Sequence, residues 1–289
     1  MSDTDARGVG LRGRVAIVTG ASRGIGKGIA LELGAAGATV YVTARSTSES
    51  DHPLPGTIGA TAQEVDAIGA DSGGTGIAVA LDHRDDAAVG ALFDRVLGER
   101  GRLDVLVNNA FIVTDQLTSG LPFWEADLSN WDDMIDVGTR SAYVASVFAA
   151  RSMVQAHAGL IVNVSSSGAE EYAWQVAYGV GKCALDRITA DTAHELASHG
   201  VSVVSVWPGF VRTERIDVGA AMGLLPDSLD LSTSESPRFM GRAVVALASD
   251  DDVARWSGQA VSARDLADEY GFTDVDGTLP AGPLRHRTT

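Results

Sequence analysis

The segment RVAIVTGASRGIGKGIALELGAAG, residues 14–37, combines three local signals in a fixed order. A run rich in valine and isoleucine comes first and predicts a buried β-strand. A glycine-rich turn follows, and the residues after it predict a helix. A strand, a tight turn and a helix form the repeating unit of a parallel α/β sheet, so this segment indicates the fold class.

Six further short apolar runs lie along the chain, separated by amphipathic segments. They are ATVYVTAR (38–45), GIAVALD (76–82), LDVLVNNA (103–110), GLIVNVSS (159–166), VSVVSVWPG (201–209) and GQAVSA (258–263). The runs lack clean two-residue alternation, as is typical of strands buried on both faces. We therefore predict an α/β fold, a single doubly wound Rossmann domain in which helices cover both faces of a seven-stranded parallel sheet.

Three segments interrupt this rhythm. Residues 46–60 form a polar, proline-containing loop, and residues 210–237 form a long irregular connection of the kind that compact domains keep for a lid or a binding loop. The polar segment 264–289 follows the last strand, and we expect its final residues to be disordered.

The composition excludes several classes of partner. The 289 residues are 45% hydrophobic and 21% charged, and 38 acidic against 22 basic residues give a net charge of -16. Phosphate-rich partners need concentrated Lys and Arg, so we expect neither nucleic acid nor an anionic membrane as a partner. One cysteine, Cys183, excludes an intramolecular disulfide. No signal peptide or long apolar run is visible, and we predict a soluble, cytoplasmic protein.

The glycine-rich turn indicates a dinucleotide site. Gly20, Gly24 and Gly26 are spaced G-x-x-x-G-x-G between a predicted strand and a predicted helix. Such a turn lets backbone approach a pyrophosphate while helix N–H groups point at it. A tight strand-to-helix turn without a ligand is the alternative, but the position on the first strand of a doubly wound sheet favours the dinucleotide.

The residue that ends the second strand favours NADP(H) over NAD(H). An NAD site places an acid there, on the ribose 2′-hydroxyl, whereas this chain has Arg45. Arg45 can form charge-assisted bonds to a 2′-phosphate, and Arg23 can supply a second set. The alternative is that both arginines are solvated surface groups.

Polar residues also follow the third and fourth strands. Asp82 stands where a carboxylate can accept from an adenine amino group, and Asn108, Asn109 and Ala110 follow strand four. The carboxyl edge of an open α/β sheet is where ligands bind. Their order along the chain gives these residues weight as cofactor contacts.

Tyr178 and Lys182 carry the strongest catalytic signal. They lie four residues apart on a predicted helix and share one face. A tyrosine titrates near pH ~10, and a lysine ammonium one turn away stabilises its phenolate, which suits proton transfer near neutrality. An ordinary exposed pair is the alternative.

Three serines compete for a supporting role. Ser165, Ser166 and Ser167 follow the fifth predicted strand, where a hydroxyl can polarise a substrate carbonyl. We predict no metal site, because His194 and His199 are five residues apart, ~140° around a helix, and cannot chelate one ion. His83 and His157 are expected on the surface.

The motifs TGASRGIG, NNA, NVSS, YGVGK and WPGFVRT occur in the order found in the short-chain dehydrogenase/reductase family, which the chain resembles. The resemblance covers residues 12–263 and implies a sheet ordered 3-2-1-4-5-6-7. It leaves residues 1–11 as a flexible N-terminus and residues 264–289 as a C-terminal extension. It also implies a homodimer or a homotetramer.

The resemblance assigns roles to individual residues. Tyr178 becomes the catalytic acid/base, Lys182 binds the nicotinamide ribose and lowers the tyrosine pKa, and Ser166 orients the carbonyl. The implied cofactor contacts beyond those argued above are Ser22, Ile25, Tyr178, Lys182, Pro208, Gly209, Val211 and Thr213. Residues 211–240 become the substrate loop.

The segment VAYGVGKCALDRITADTAHELASHGVSVVSVWPGFVRTE is similar to one branch of the family. That branch is associated with NADPH-dependent reduction of carbonyl compounds, including steroids and xenobiotic ketones. Phe111, Phe123, Trp124 and Trp174 also suggest an apolar ligand, although packing explains them about as well. The resemblance implies a small-molecule carbonyl or alcohol as the substrate.

One position departs from the family. Gly138 stands inside a predicted helix, where glycine costs about 1 kcal/mol relative to alanine, and the family usually places an asparagine there. That asparagine kinks the helix and helps to hold a water in a proton relay from the lysine. We expect a water in the volume vacated at Gly138. A dinucleotide-binding protein with little turnover, a sensor or a scaffold, is the alternative function.

Overall fold

The computed structural model describes residues 10–225 and 231–283. Within them, seven strands form one sheet in the order β3-β2-β1-β4-β5-β6-β7, and every pairing is parallel. The strands are β1 Val15–Thr19, β2 Thr39–Ala44, β3 Thr75–Ala80, β4 Val105–Asn108, β5 Gly159–Val164, β6 Val201–Trp207 and β7 Ala260–Ser262. The predicted doubly wound α/β fold and its strand order are confirmed.

Helices cover both faces of the sheet. They are α1 Gly24–Ala35, α2 Ile58–Gly69, α3 Asp86–Arg100, α4 Leu128–Asp132, α5 Ser141–Ala156, α6 Val176–Leu196, α7 Glu214–Ala221, α8 Pro237–Ser249 and α9 Ala263–Tyr270. A π-helix, Asp133–Arg140, joins α4 to α5 and contains Gly138. None of the helices in the described ranges is long and apolar enough to cross a membrane.

Alternate residues of the central strand enter two separate cores. All five residues of β1 are buried. Ala16 and Val18 pack with α1, α2 and α8 on one face, whereas Val15 and Ile17 pack with α3 and α5 on the other. Successive side chains of a strand point to opposite faces, so a strand covered on both sides needs apolar residues throughout.

The two long connections that interrupt the alternation of strands and helices, after β2 and after β6, contain regular secondary structure. The loop after β2 includes a 3₁₀ turn at Glu49–Asp51 and ends where α2 begins at Ile58. The connection after β6 contains α7 and a 3₁₀ turn at Leu231–Thr233. These short elements are amphipathic over one or two turns only, which gives too little periodicity to predict them. Residues 226–230 lie outside the described residues.

Both ends of the described chain pack against the domain. Leu11 is 2% exposed, and its backbone N–H donates to the carbonyl of Ala36. Beyond α9, Asp274 accepts from the backbone N–H and the hydroxyl of Ser236, at the start of α8. Residues 10–11 and the segment after α9 therefore belong to the folded body, while residues 1–9 and 284–289 are not described.

A buried carboxyl lies beside this C-terminal contact. Glu235 is 1% exposed, and neither of its carboxylate oxygens accepts a hydrogen bond of good geometry. Burial raises the pKa of Glu235 from 4.5 to about 8, with the nearby Gly209 N–H opposing the rise and Asp274 adding to it. The folded protein therefore holds a proton on Glu235 at pH values where the unfolded chain has released it.

We expect the free energy of unfolding to fall as the pH rises from about 5 to 8, because the folded state binds the Glu235 proton and the unfolded state does not over that window. Glu235→Gln stays uncharged and should lose this decline. Thermal melting at pH values across the window measures the difference. Asp276→Asn, at an exposed carboxylate that bonds only Thr278, is the control and should keep the wild-type slope. An unchanged slope in Glu235→Gln would contradict the assignment.

Candidate active site

A cavity of about 580 Å³ opens at the carboxyl edge of the sheet. Its walls come from the residues that follow β1, β2, β3 and β4 and from the start of α7. The sheet order reverses between β1 and β4, and open α/β sheets bind ligands at such a switch point. The lining includes these predicted residues: Gly20, Ser22, Arg23, Gly24, Ile25, Arg45, Asp82, Asn109, Ala110 and Thr213.

The glycine turn forms one wall of the cavity. Gly20 and Gly24 have φ angles of +65° and +56°, which residues with a Cβ rarely adopt. Gly26 does not line the cavity. A Cβ at Gly26 would lie 2.4 Å from Nδ2 of Asn109 and 2.5 Å from the carbonyl oxygen of Gly20. Gly26 is therefore needed for the turn to close on itself.

The N-terminus of α1 already holds a carboxylate. The Gly24 backbone N–H donates to Oε2 of Glu214 over 2.8 Å. This N–H lies where a helix favours a negative group, and Glu214 lines the cavity. The sequence did not predict Glu214 as a site residue, because its contact with Gly24 joins residues 190 positions apart.

The two arginines predicted to hold a 2′-phosphate differ in their surroundings. The Arg23 guanidinium donates to the carbonyls of Pro55 and Gly56 and to the Ser46 hydroxyl, and burial lowers its pKa. Arg23 therefore fixes the loop after β2. Arg45 is exposed at the end of β2 and lines the cavity without such ties. Arg215, which the sequence did not single out, lines the same cavity.

The expectation that His83 lies on the surface is wrong. His83 is 5% exposed, and its Nε2 lies 3.0 Å from the Thr43 hydroxyl. Burial lowers the pKa of His83 to about 4, with Asp82 opposing the shift. The residue lies three positions after the end of β3, and its ring contacts Thr43 on β2. Asp82 also lines the cavity and accepts from the Arg84 N–H.

Tyr178, Lys182 and one of the three serines come together at the end of β5. The Tyr178 hydroxyl donates to Oγ of Ser166 over 2.8 Å. Lys182 donates from Nζ to the carbonyl of Val164 over 3.0 Å. Ser165 instead donates to the backbone carbonyl of Lys182, and Ser167 begins a 3₁₀ turn. Of the three serines, Ser166 is the one whose hydroxyl meets the tyrosine.

Burial sets the electrostatics of this group. It raises the pKa of Tyr178, although the hydrogen bond with Ser166 opposes the rise. It lowers the pKa of Lys182 to about 8, and Asp186 opposes that shift. The sequence predicted a lowered tyrosine pKa. The direction differs because desolvation penalises the phenolate more than the hydrogen bond with Ser166 favours it.

An aromatic ring packs beside Gly138. A Cβ built on Gly138 would lie 3.0 Å from Cδ2 and 3.1 Å from Cε2 of Phe111. Phe111, Gly138, Tyr178 and Lys182 line a narrow cleft. A side chain from the loop after β4 thus packs against Gly138, and the expected water beside this position stays a prediction.

Other assigned residues lie off the cavity wall. Tyr178 and Lys182 line the narrow cleft behind Phe111. Pro208 and Gly209 follow β6, where a Cβ on Gly209 would lie 2.8 Å from Oε2 of Glu235. Val211 is 9% exposed and pairs with Glu235 in an isolated bridge. The described residues include no group of three or more His, Cys, Asp or Glu side chains placed to hold a metal ion.

Known proteins share this sequence and this geometry. A sequence profile described as short chain dehydrogenase matches residues 14–218. The chain is 46% identical over 277 residues to dehydrogenase/reductase SDR family member 1 of Mus musculus, covering 92% of this chain and 85% of that protein. It is 36% identical over 205 residues to the 3-oxoacyl-(acyl-carrier-protein) reductase FabG of Pseudomonas aeruginosa, covering 71% of this chain and 76% of the relative.

A solved structure agrees with the fold. The crystal structure of a metagenomic short-chain oxidoreductase in complex with NADP has a TM-score of 0.67 and 32% sequence identity, and the match covers 87% of this chain and 96% of that one. The resemblance inferred from the motifs is thus confirmed. The chain belongs to the short-chain dehydrogenase/reductase family, oxidoreductases that act on CH–OH or C=O groups with a nicotinamide cofactor.

Proposed function

We propose that the protein is an NADP(H)-dependent reductase of apolar carbonyl compounds that also oxidises the corresponding secondary alcohols. The observation that carries the proposal is the 2.8 Å hydrogen bond between Tyr178 and Ser166, with Lys182 one turn further along α6. A proton donor and a second hydroxyl thus face one point at the end of β5, next to a cavity large enough for a cofactor.

The cavity suits a phosphorylated dinucleotide. Its volume of about 580 Å³ lies in the range of cofactor sites, and the N-terminus of α1 opens into it. Arg45 supplies an exposed cation at the end of β2, where a 2′-phosphate is recognised. In this proposal Asp82, which lines the cavity, accepts from the adenine amino group. When bound, the cofactor supplies or accepts a hydride.

The residues at the end of β5 handle the proton. Ser166 and Tyr178 can both donate to a substrate carbonyl oxygen, which polarises the carbon toward hydride. Tyr178 then gives its proton to that oxygen, and in the reverse direction it takes the proton from the alcohol. The Lys182 ammonium favours the phenolate that is left and, in this proposal, binds the nicotinamide ribose.

Three exposed aromatic side chains favour an apolar ligand. Phe123, Trp124 and Trp174 are 65%, 71% and 50% exposed, and they belong to segments that flank the catalytic group in sequence. Exposed aromatic side chains of this density are unusual unless they meet a ligand or another protein. Steroid-like and xenobiotic ketones have the size and apolar character that such a surface accommodates.

A second candidate function is dinucleotide binding with little turnover, as in a sensor or a scaffold. The raised pKa of Tyr178 and the ring that packs beside Gly138 favour it. NADPH oxidation measured against a panel of ketones, aldehydes and quinones separates the two. Turnover with any of them at the level of ordinary reductases rejects the second candidate.

We also propose a homodimer or homotetramer in the cytoplasm. Tyr143 on α5 and Val176 and Val180 on α6 are large apolar side chains that remain exposed in the single chain. Two adjacent helices that present such residues can bury them against a second copy. The lone cysteine is compatible with a reducing compartment.

Tyr178→Phe tests the catalytic proposal. We expect kcat/KM for ketone reduction to fall about 10²- to 10⁴-fold, because the proton donor is lost. The NADPH dissociation constant, measured by fluorescence titration, should change less than about twofold, since the ring remains. Tyr172→Phe is the matched control, because its exposed hydroxyl bonds only the Trp174 carbonyl. Equal turnover by wild type and Tyr178→Phe would contradict the catalytic proposal.

Arg45→Ala tests cofactor choice. Loss of charge-assisted bonds to the 2′-phosphate should raise KM for NADPH about ten- to hundredfold. KM for NADH should stay within about twofold, because NADH has no phosphate at that position. Arg187→Ala removes an exposed arginine that pairs with Asp191 on α6 and serves as the control. An unchanged ratio of the two KM values would overturn the NADP(H) assignment.

Glu214→Gln tests the contact at the N-terminus of α1. A cofactor diphosphate has to replace the Glu214 carboxylate there, so removing the negative charge should tighten NADPH binding about two- to fivefold. Fluorescence titration at low and high salt measures the gain, which should shrink at high salt. Glu195→Gln, an exposed position on α6, should leave the affinity unchanged. Weaker NADPH binding by Glu214→Gln would show that this carboxylate does not compete with the cofactor.

A further inference from the structure

Phe111 separates two spaces in the active site. Its ring lines both the cavity at the switch point and the narrow cleft that contains Tyr178 and Lys182. The residue follows the NNA motif directly and is packed in a small apolar cluster with Met134 and Leu117. One aromatic side chain thus forms the wall between the proposed cofactor site and the catalytic lysine.

The position of this ring depends on the absence of a side chain at Gly138. The two heavy atoms nearest to a Cβ on Gly138 both belong to Phe111, at 3.0 and 3.1 Å. Such distances are shorter than ordinary van der Waals contact, so a methyl group there would push the ring away. Gly138 also lies within the π-helix, an irregular element that frequently marks functional sites.

The same ring contacts both Tyr178 and Lys182 on α6. It meets the Tyr178 ring edge to face, with centroids 5.9 Å apart and planes at 81°. The Lys182 ammonium lies 4.8 Å from the Phe111 centroid, within the range of a cation–π interaction. The ammonium also donates to the Val164 carbonyl and lies 5.7 Å from the centroid of the Tyr178 ring, farther than from Phe111. Phe111 therefore touches the proton donor and the cation that supports it.

We propose that Phe111 is a positioning residue of this active site, which holds the Tyr178 ring and stabilises the Lys182 ammonium, and that Gly138 makes room for it. In this proposal the Phe111 ring takes the place beside Lys182 that the asparagine at position 138 has in the family. The inference rests on the proposed reductase function for its catalytic meaning, but the contact with Lys182 can be tested without turnover.

Among the charged groups around Lys182, Asp186 also favours the ammonium, but hydrogen bonds from other residues engage its carboxylate. Asp186 lies one turn along α6 and accepts from the Ser205 hydroxyl and the Trp207 indole. The π-helix ion pairs engage other elements: Asp133 with Arg84, and Arg140 with Asp86. From β5 the Val164 carbonyl faces Lys182, and β6 carries Ser205 and Trp207. The helix α6 also carries the Tyr178 hydroxyl. Glu170 and Glu171, which follow the 3₁₀ turn after β5, are exposed.

A second glycine–phenylalanine contact supplies an internal comparison. A Cβ on Gly90 would lie 3.0 and 3.1 Å from two ring atoms of Phe148, and the Arg151 guanidinium lies 5.0 Å from that ring. This ring stacks on Phe93 between α3 and α5, and its cation is exposed. The local geometry matches that of Phe111, but no catalytic group is present.

The test uses isotope-labelled lysine, because the chain contains only two lysines, Lys27 and Lys182. NMR titration of the labelled side chains gives the pKa of Lys182 directly, with the ion-paired Lys27 as an internal reference. Wild type, Phe111→Leu, Phe111→Tyr and Gly138→Ala are compared with and without NADP⁺. In parallel, kcat is measured against pH for a ketone that the wild type reduces.

Phe111→Leu should lower the pKa of Lys182 by about half a unit to one unit, because it keeps bulk but removes the π face. Gly138→Ala should shift it in the same direction by displacing the ring. Phe111→Tyr keeps the ring and should restore the wild-type value. Lys27 should titrate identically throughout. The alkaline limb of the kcat profile should move with the Lys182 pKa, while KM for the ketone changes less than about twofold.

A double-mutant cycle separates this role from packing. Gly138→Ala should lower kcat at least about threefold in the wild-type background and less than about 1.5-fold when Phe111 is already Leu, because the two sites share one contact. The matched cycle of Gly90→Ala and Phe148→Leu should show coupling in thermal melting only, with no movement of the pH profile. An equal Lys182 pKa in wild type, Phe111→Leu and Gly138→Ala overturns the inference. Absence of turnover in the wild type would overturn the reductase proposal alone, since the lysine titration remains decisive.

Discussion

The active site depends on a polar clamp between two neighbouring strands. The hydroxyl of Thr19, at the end of β1, accepts from the backbone N–H groups of Asn109 and Ala110 after β4. The Asn109 amide in turn donates to the carbonyls of Thr19 and Gly20. This clamp lies at the point where the strand order reverses. It fixes the glycine turn on one side and directs the chain toward Phe111 on the other, so the cavity and its aromatic wall have a common origin.

A second buried chain of polar groups places the catalytic helix. Asn108 donates to Asn163 on β5, and Asn163 donates to the Thr189 hydroxyl on α6. All three residues are nearly inaccessible to solvent, where an unpaired amide would cost about 1–3 kcal/mol. The bonds therefore fix the register of α6 on β5. That register brings Tyr178 and Lys182 to the end of the strand that carries Ser166.

Sequence reasoning recovered the features that local pattern encodes. The seven apolar runs correspond to the seven strands, because strands that are buried on both faces are apolar along their whole length. The same reasoning failed at His83, and it could not anticipate the hydrogen bonds of Arg23, because the partners of these two side chains are 23 to 40 positions away. It also could not anticipate that the Phe111 ring packs beside Gly138. A glycine within a predicted helix indicates a close contact at that position, but the local sequence does not identify the residue that makes the contact.

Gly90 and Gly138 show why that distinction matters for reading function. Both glycines break the preference for helix-forming residues, and both do so under a phenylalanine ring at nearly the same distance. Each loses about 1 kcal/mol of helix propensity and gains room for a closely packed ring. The two contacts differ in what the ring touches on its other side. The Phe148 ring beside Gly90 stacks on Phe93, whereas the Phe111 ring beside Gly138 contacts the buried Lys182 and Tyr178. A violated local rule thus marks a close contact, and the groups beyond the contact decide whether it serves the fold or the chemistry.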